Sequence, residues 1–358
     1  MIIGIDGSRA FLPERTGIEE YSYQVIRHLR ETLLQEPVFL YVRSGQQVPF
    51  ELPHNWTVKE LCAPRLWTQV RLSLEMLFFP VDALFIPAHT APLIHPKKTI
   101  VTIHGLEYEF CPKAYSFLER WYMRLSIRFS CRAASTLIAV SENTKSDLMK
   151  LYGVPESKIQ VVYEGYEDQS TVSNEQPTKK QEKPYLLFIG RLEERKNVVR
   201  IIEAFEILKE QHRIPHQLIL AGKPGYGYGR IKYQISNIKY RDEVVELGYV
   251  SEEEKWALLR GADVFIFPSL YEGFGIPVLE AQSSRVPVIT SDISSLPEVG
   301  GEGVVTVNPL SPEDIAEGIQ KVLSDEEWRG DIIKRATHNV SRFSWIRCAK
   351  EIEKLLIE

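Results

Sequence analysis

The sequence predicts an α/β protein of two similar doubly wound units, and three observations carry that prediction. Short apolar runs alternate with amphipathic segments along nearly the whole chain, the pattern of βα units around a parallel sheet. The length, 358 residues, suits two domains at about 150 residues each. The alternation breaks once, across Glu167–Lys183, where polar and charged residues with Pro177 replace the apolar ones.

In the first half the pattern places strands at Ile2–Asp6, Val38–Val42, Ala83–Ile86, Thr99–His104, Thr136–Val140 and Ile159–Tyr163. Helices fit between them at Gly17–Leu34, Leu66–Phe78, Phe117–Arg132 and Ser141–Tyr152, with Ser141 as an N-cap and Gly153 as a C-terminal stop. The segment Glu167–Lys183 cannot bury a core and reads as an interdomain linker. Strands resume at Tyr185–Ile189, Gln217–Ala221, Val244–Leu247, Val264–Phe267, Val286–Thr290 and Gly303–Val307. Helices follow at Val198–Gln211, Ser251–Arg260, Ile276–Ser284 and Pro312–Leu323, and Asp325–Val340 and Trp345–Ile357 are helical too. The expected organisation is residues 1–166, a linker over 167–183, residues 184–340, and a closing helical segment over 341–358. A cleft between the two domains is where ligands of doubly wound sheets sit.

Composition narrows the function classes. Hydrophobic residues at 44% and charged residues at 25% exclude a disordered chain. A net charge of −5 gives no electrostatic case for nucleic acid. The four cysteines, Cys62, Cys111, Cys131 and Cys348, contain no CxxC pair and suit neither a zinc site nor a disulfide framework. They read as small core residues in a reducing compartment. The opening Met-Ile-Ile-Gly-Ile-Asp reads as a buried strand rather than a signal peptide. No apolar stretch approaches the roughly 20 residues of a membrane span. The expected location is cytoplasmic, with membrane contact limited to the surface at the inner face.

The most informative stretch is Phe267-Pro268-Ser269-Leu270-Tyr271-Glu272-Gly273-Phe274-Gly275-Ile276-Pro277, continuing to Glu280. A strand ends at Phe267, a glycine-rich loop follows, and a helix starts near Ile276 with Pro277 in its first turn. Gly273 and Gly275 allow close approach of backbone N–H groups to a ligand, and with the helix end they form an anion site. Glu272 and Glu280, eight positions apart, can meet different parts of one ligand. The plainer reading is a tight βα turn with two surface carboxylates. A second loop, Gly190-Arg191-Leu192-Glu193-Glu194-Arg195-Lys196-Asn197, follows the strand at Tyr185–Ile189. Arg191 and Lys196 could clamp a diphosphate, the arginine by its fork and the lysine as a point charge. Equally, Glu193 and Glu194 could pair with their neighbours in a solvated cluster.

These two loops, in this order, resemble the family 4 retaining glycosyltransferases of the GT-B fold. The resemblance runs over nearly the whole chain. It takes in Asp6, Arg9 and Thr16-Gly17-Ile18, Thr102-Ile103-His104-Gly105-Leu106, Val140-Ser141-Glu142 with Lys145, Leu296-Pro297-Glu298-Val299 and Phe343-Ser344-Trp345. It implies two Rossmann-like domains facing each other across a cleft, with the closing helix crossing back to the first. It further implies that Arg191 and Lys196 hold the donor diphosphate and that Glu280 binds the ribose. Glu272 and the backbone of Gly273, Phe274 and Gly275 would contact the donor sugar and phosphate. Gly17 would let backbone approach the diphosphate, Tyr249 and Val250 would lie against the base, and His104 would sit near the reacting centre, with His104 and Glu272 as the catalytic candidates. Retention of configuration is implied as well.

The chain contains no Asp-x-Asp, so no metal and no other cofactor is expected, the cations taking that task. The sequence departs from the family pattern at Gly105, where an Asp is common after the histidine, which leaves His104 without that partner. Val162-Tyr163-Glu164-Gly165 stands where relatives read Pro-Asn-Gly, and Arg285 where Gly is usual. A lone histidine at a strand end also reads as a structural residue.

Gly222-Lys223-Pro224-Gly225-Tyr226-Gly227-Tyr228-Gly229 does not fit the dinucleotide pattern and reads as a mobile loop at the cleft rim, which keeps an NAD-dependent oxidoreductase distant. Arg120, Arg124, Arg128 and Arg132 recur every four residues beside Trp121, Leu125 and Phe129. That helix reads either as a face for an anionic membrane or as a solvated arginine face over a core stripe. The resulting expectation is a hexosyl transfer, first guess mannose from GDP-mannose, to a glycan or lipid-linked acceptor. The rivals are a GT-B sugar-nucleotide epimerase and, further off, a ligand-binding module. Arg191→Ala and Glu272→Ala are both expected to abolish transfer with the fold intact.

Overall fold

A computed structural model describes residues 1–13, 15–63, 66–166 and 183–358. The expected linker, apart from Lys183, lies outside the described residues. The chain forms two compact units. Met1–Glu109, Tyr115–Gly165 and Phe343–Glu358 make the first, Phe110–Ala114 and Tyr166–Arg342 the second.

The first unit is built on a parallel sheet of seven strands. They are β1 (Ile3–Asp6), β2 (Val38–Arg43), β3 (Trp56–Leu61), β4 (Ala83–Ile86), β5 (Lys98–Ile103), β6 (Thr136–Ala139) and β7 (Ile159–Val161), in the order β3-β2-β1-β4-β5-β6-β7. β1 and β4 are buried at every position, as expected of strands covered by helices on both faces. β3 is the one strand of this sheet that apolar patterning misses. It is an edge strand with only Trp56 and Leu61 buried, so it carries no apolar run.

Ser141 caps the helix Glu142–Tyr152 by accepting from the Thr144 N–H at 3.0 Å, and Gly153 ends it at φ 64°. The expected helix over Leu66–Phe78 is not regular. Leu66 stands at φ 52°, a π-helical turn covers Trp67–Leu72, and only Ser73–Phe78 is α-helical. The Trp67 indole, donating to the Leu61 carbonyl at 3.0 Å, anchors that turn in the core.

The helix Trp345–Ile357 belongs to the first unit, where it packs along the helix Gly17–Thr32. It buries Trp345, Cys348, Ala349, Ile352 and Leu356, one face at helical spacing. Gly165 lies so close to it that a Cβ there would stand 2.2 Å from the Trp345 nitrogen. The helix Phe117–Ala133 corrects the core-stripe reading. Trp121 and Leu125 are exposed, and of the three only Phe129 packs against the core.

The second unit has a parallel sheet of six strands. These are β8 (Tyr185–Ile189), β9 (Gln217–Ala221), β10 (Val244–Gly248), β11 (Val264–Phe267), β12 (Val288–Ser291) and β13 (Val305–Val307), in the order β10-β9-β8-β11-β12-β13. The helix starting at Val198 turns π-helical over Leu208–His212, where the Lys209 ammonium caps the Ile214 and His216 carbonyls at 3.0 Å. A helix at Tyr228–Asn237 follows the glycine-rich loop and escapes the sequence pattern because only Ile231 in it is buried. In each sheet the first strand lies inside, beside a later one, β1 against β4 and β8 against β11. Such reversal points of strand order leave a crevice at the strands' carboxyl ends.

Candidate active site

In the second unit, the loops after β8 and β11 meet at that reversal point. Asn197 stands at φ 63° and donates from its side-chain amide to the Pro268 carbonyl at 3.0 Å and the Pro309 carbonyl at 2.6 Å. This pins the cation loop to the loop after β11. Next to it the Lys196 ammonium donates to a Glu272 carboxylate oxygen at 2.6 Å, and Arg195 reaches the other oxygen at 2.9 Å. Arg195 also donates to the Tyr271 carbonyl at 2.8 Å and to Glu193 at 3.0 Å. Lys196 lies over the Phe267 ring at 4.5 Å. The sequence motif is therefore a buried ion-pair network.

Burial by itself would raise the Glu272 carboxyl, but the charges of Arg195 and Lys196 and the hydrogen bonds outweigh it and hold the group at about 2. Burial pulls the Lys196 ammonium below its ordinary range, partly offset by Glu272.

Ser294 and Ser295 fix the backbone of this loop. The Ser294 hydroxyl accepts from the Glu272 N–H at 2.9 Å, and the Ser295 hydroxyl lies 2.6 Å from the Phe274 carbonyl. Gly275, at φ 122°, precedes the helix Ile276–Ser283, and a Cβ there would press to 2.9 Å from Leu296. Pro277 sits in the first turn as expected. Glu280, in the helix Ile276–Ser283, accepts from Lys255 at 2.7 Å. Arg191 stands out from the network: its side chain is 62% exposed and its nearest carboxylate, Glu193, is 3.7 Å away.

The Gly222–Gly229 loop is not the loose rim that the sequence suggests. Leu192 N–H donates to the Lys223 carbonyl, Gly225 N–H to the Leu192 carbonyl, both at 2.9 Å, and Glu194 N–H to the Tyr226 carbonyl at 2.8 Å. It is laced to the cation loop. Tyr249 is exposed, with Lys223 over its ring at 4.8 Å, and Val250 packs on the core.

In the first unit, the carboxyl ends of β1, β4 and β5 carry the remaining residues. His104, just past β5, faces Glu164 at 3.2 Å through Nδ1 and the Pro87 carbonyl at 2.8 Å through Nε2. Tyr21 lies edge-on to its ring at 4.4 Å. Glu164, not an aspartate beside the histidine, is thus the carboxylate that orients it. His89 accepts the His104 backbone N–H at 3.4 Å. Burial, with His104 and Arg9 nearby, drives the His89 imidazole well below its ordinary range.

Asp6, Arg9 and His89 line a cavity of about 220 Å3. Burial raises the Asp6 carboxyl even though it accepts from the Ser8 N–H at 2.9 Å and the Thr68 hydroxyl at 3.2 Å. Gly17 begins its helix with nothing within 4 Å of a Cβ placed on it, so packing does not require a glycine there.

Sequence reasoning missed Arg195 and Glu164. Arg195 stood in view beside Lys196. Glu164 comes from the segment that departs from the family pattern, and that departure was its only signal.

Paired doubly wound units of this kind are the GT-B architecture of sugar-transferring enzymes. The solved sucrose-phosphate synthase of Thermosynechococcus elongatus matches it over 99% of this chain and 98% of its own, with TM-score 0.74 and 18% identity. Anabaena HepE in complex with UDP and glucose matches over 99% of each chain, with TM-score 0.71 and 15% identity. At those identities the likeness is one of fold.

Family membership comes from the sequence comparison. Residues 15–170 match the model "Glycosyltransferase Family 4" and residues 169–339 the model "Glycosyl transferases group 1". The chain is 30% identical over 263 residues to the O-antigen chain mannosyltransferase B of Escherichia coli, covering 71% of this chain and 69% of that one. The chain belongs to this glycosyltransferase family and is a glycosyltransferase. Among the described residues, no helix is long and apolar enough to cross a membrane.

Proposed function

We propose that the protein is a retaining hexosyltransferase that moves mannose from GDP-mannose to a hydroxyl of a glycan or lipid-linked glycan. The observation that carries the reading is the Arg195–Glu272–Lys196 network, with exposed Arg191, at the reversal point of the second sheet. Lys196 uses one ammonium donor on Glu272 and has two more to offer. Arg191 offers its whole fork. As the bond from the sugar carbon to the diphosphate breaks, these cations and the Gly273–Gly275 backbone favour the charge growing on the leaving group. The acceptor oxygen bonds to the same carbon, and its proton passes to the departing diphosphate. Glu280 takes the ribose, Tyr249 and Val250 the base, and Gly17 gives room for the diphosphate. No metal takes part in this reading. The name of the Escherichia coli relative supports mannose, and the nucleotide bound to Anabaena HepE supports a nucleotide-linked donor.

A thermal-shift screen tests the donor. At about 100 times its dissociation constant a nucleotide should stabilise the protein by about 2.7 kcal/mol. GDP should therefore raise the midpoint more than UDP, ADP or TDP at equal concentration, and a larger shift with UDP would replace GDP-mannose by a UDP-sugar.

In this reading His104 acts at the reacting centre. His104→Ala should lower kcat by about 10²-fold. A hydrogen bond to a charged group contributes about 1.5–3 kcal/mol, so Glu164→Gln should lower kcat by about tenfold or more with KM for the donor little changed. Unchanged kcat in both variants would assign the pair to structure.

A further inference from the structure

We infer that Lys255 positions Glu280 for the ribose of the donor, and that this pair makes the second unit prefer a ribonucleoside diphosphate to its 2′-deoxy form. Lys255 lies in neither of the two loops, and its role rests on the reading of Glu280 as the ribose partner. Two helices bring the pair together. Glu280 stands one turn into the helix Ile276–Ser283, and Lys255, 25 positions earlier, lies in the first turn of the helix Glu252–Gly261. The Lys255 ammonium donates to Glu280 Oε1 at 2.7 Å and lies 2.7 Å from Glu252 Oε2. The side chains of Lys255 and Glu280 are only 15% and 14% exposed, whereas that of Glu252 is 67% exposed. A line of charges thus runs from solvent through the lysine to a largely buried carboxylate. The ammonium also lies 5.0 Å from the centre of the Trp256 ring, within cation–π range.

A lysine side chain this far out of water is uncommon unless it is paired. The helix does not need it as an anchor. Ser251 N–H donates to Glu254 at 2.9 Å and Glu254 N–H to the Ser251 hydroxyl at 3.2 Å, which caps the helix, and Trp256, Leu258 and Leu259 bury its core face. Nor does a buried ion pair add much stability over apolar residues of the same size. What the lysine changes is the state of the carboxylate. Burial favours a protonated carboxyl, and a cation at hydrogen-bond distance favours the ionised one. Ionised, the group accepts at about four lone-pair sites, so Lys255 does not exhaust it; protonated, one of its oxygens becomes a donor. The 2′ and 3′ hydroxyls of a ribose are neighbouring donors that one ionised carboxylate can accept together. Burial pulls the Lys255 ammonium down, but Glu280 and Glu252 outweigh that and raise it, so the lysine stays charged. Held at one oxygen, Glu280 also has less rotamer freedom to lose when the ribose binds.

The test is binding calorimetry on the full chain, with GDP and UDP each set against its 2′-deoxy form, so that the outcome does not hang on the base. A hydrogen bond to a charged group is worth about tenfold or more, and the wild type should prefer the ribonucleotide by about that factor. Lys255→Met should bring the preference below about threefold while affinity for the 2′-deoxy form stays within about twofold of wild type. A purely structural loss would weaken both forms alike. Lys255→Arg keeps a cation and should restore the preference in part. Lys255→Gln, which keeps a donor without the charge, takes the place of Lys255→Met if that variant does not fold. In Glu280→Gln the preference should already be gone, and adding Lys255→Met should change it no further, because the lysine acts through Glu280. The inference is overturned if Lys255→Met keeps the wild-type preference, if it weakens both forms equally, or if it lowers the preference further in the Glu280→Gln background. A preference lost in Glu280→Gln and kept in Lys255→Met removes the role of Lys255 alone. One kept in Glu280→Gln as well places the ribose elsewhere and removes the reading on which that role rests.

Discussion

Glu272→Ala should remove sugar transfer and a large part of the second unit's stability together. The sequence alone suggests that this variant keeps its fold, but the carboxylate is buried between Arg195 and Lys196. Taking away one partner of a buried ion pair costs about 3–5 kcal/mol, because the other charge is left without compensation. Guanidinium unfolding should show that loss, and kcat should fall by about 10³-fold or more. The pH dependence is a sharper check. The folded carboxyl sits at about 2, below its ordinary 4.5. Its stabilisation is complete above about 4.5 and is lost as pH falls towards 2. The stability gap between wild type and Glu272→Gln should thus be level from neutral pH down to about 4.5 and close below it. A gap that stays constant through the acid range would mean that the charge is not what holds the loop.

Arg191→Ala should separate activity from stability. The side chain is exposed and its one nearby carboxylate is 3.7 Å away, so unfolding should change by no more than about 0.5 kcal/mol. Loss of its fork from the diphosphate should lower kcat/KM by about 10²–10³-fold. Arg191→Lys should recover part of that, since it keeps the charge without the two-pronged geometry. Wild-type kcat/KM in Arg191→Ala would move the diphosphate away from this loop.

The contrast between these two residues shows what the sequence could and could not disclose. Arg191 and Lys196 look alike as cations in one loop, yet one is solvated and the other buried on Glu272, 76 positions later in the chain. Only the neighbourhood of β8 and β11 makes that pairing. The same holds for His104 and Glu164, 60 positions apart and brought together from the ends of β5 and β7. The strands themselves were legible because double burial leaves continuous apolar runs. β3 was not, since an edge strand has little to bury. The π-helical turns keep the apolar spacing of a helix and differ only in backbone pairing, which composition does not register. The exposed aromatics of the helix Phe117–Ala133 have the periodicity of a core stripe, and nothing in one sequence says whether a stripe is covered.

The membership of the helix Trp345–Ile357 in the first unit has a consequence for biogenesis. The second unit, apart from Phe110–Ala114, is one continuous stretch from Tyr166 to Arg342, while the first is completed only by residues beyond it. During synthesis, at about 5–20 residues per second, the later-made unit can finish folding while the earlier-made one still waits for its last helix. In that interval the face of the helix Gly17–Thr32 that Trp345 and its neighbours will cover is bare on the ribosome. A nascent chain arrested near residue 342 should therefore engage chaperones through its first-made half.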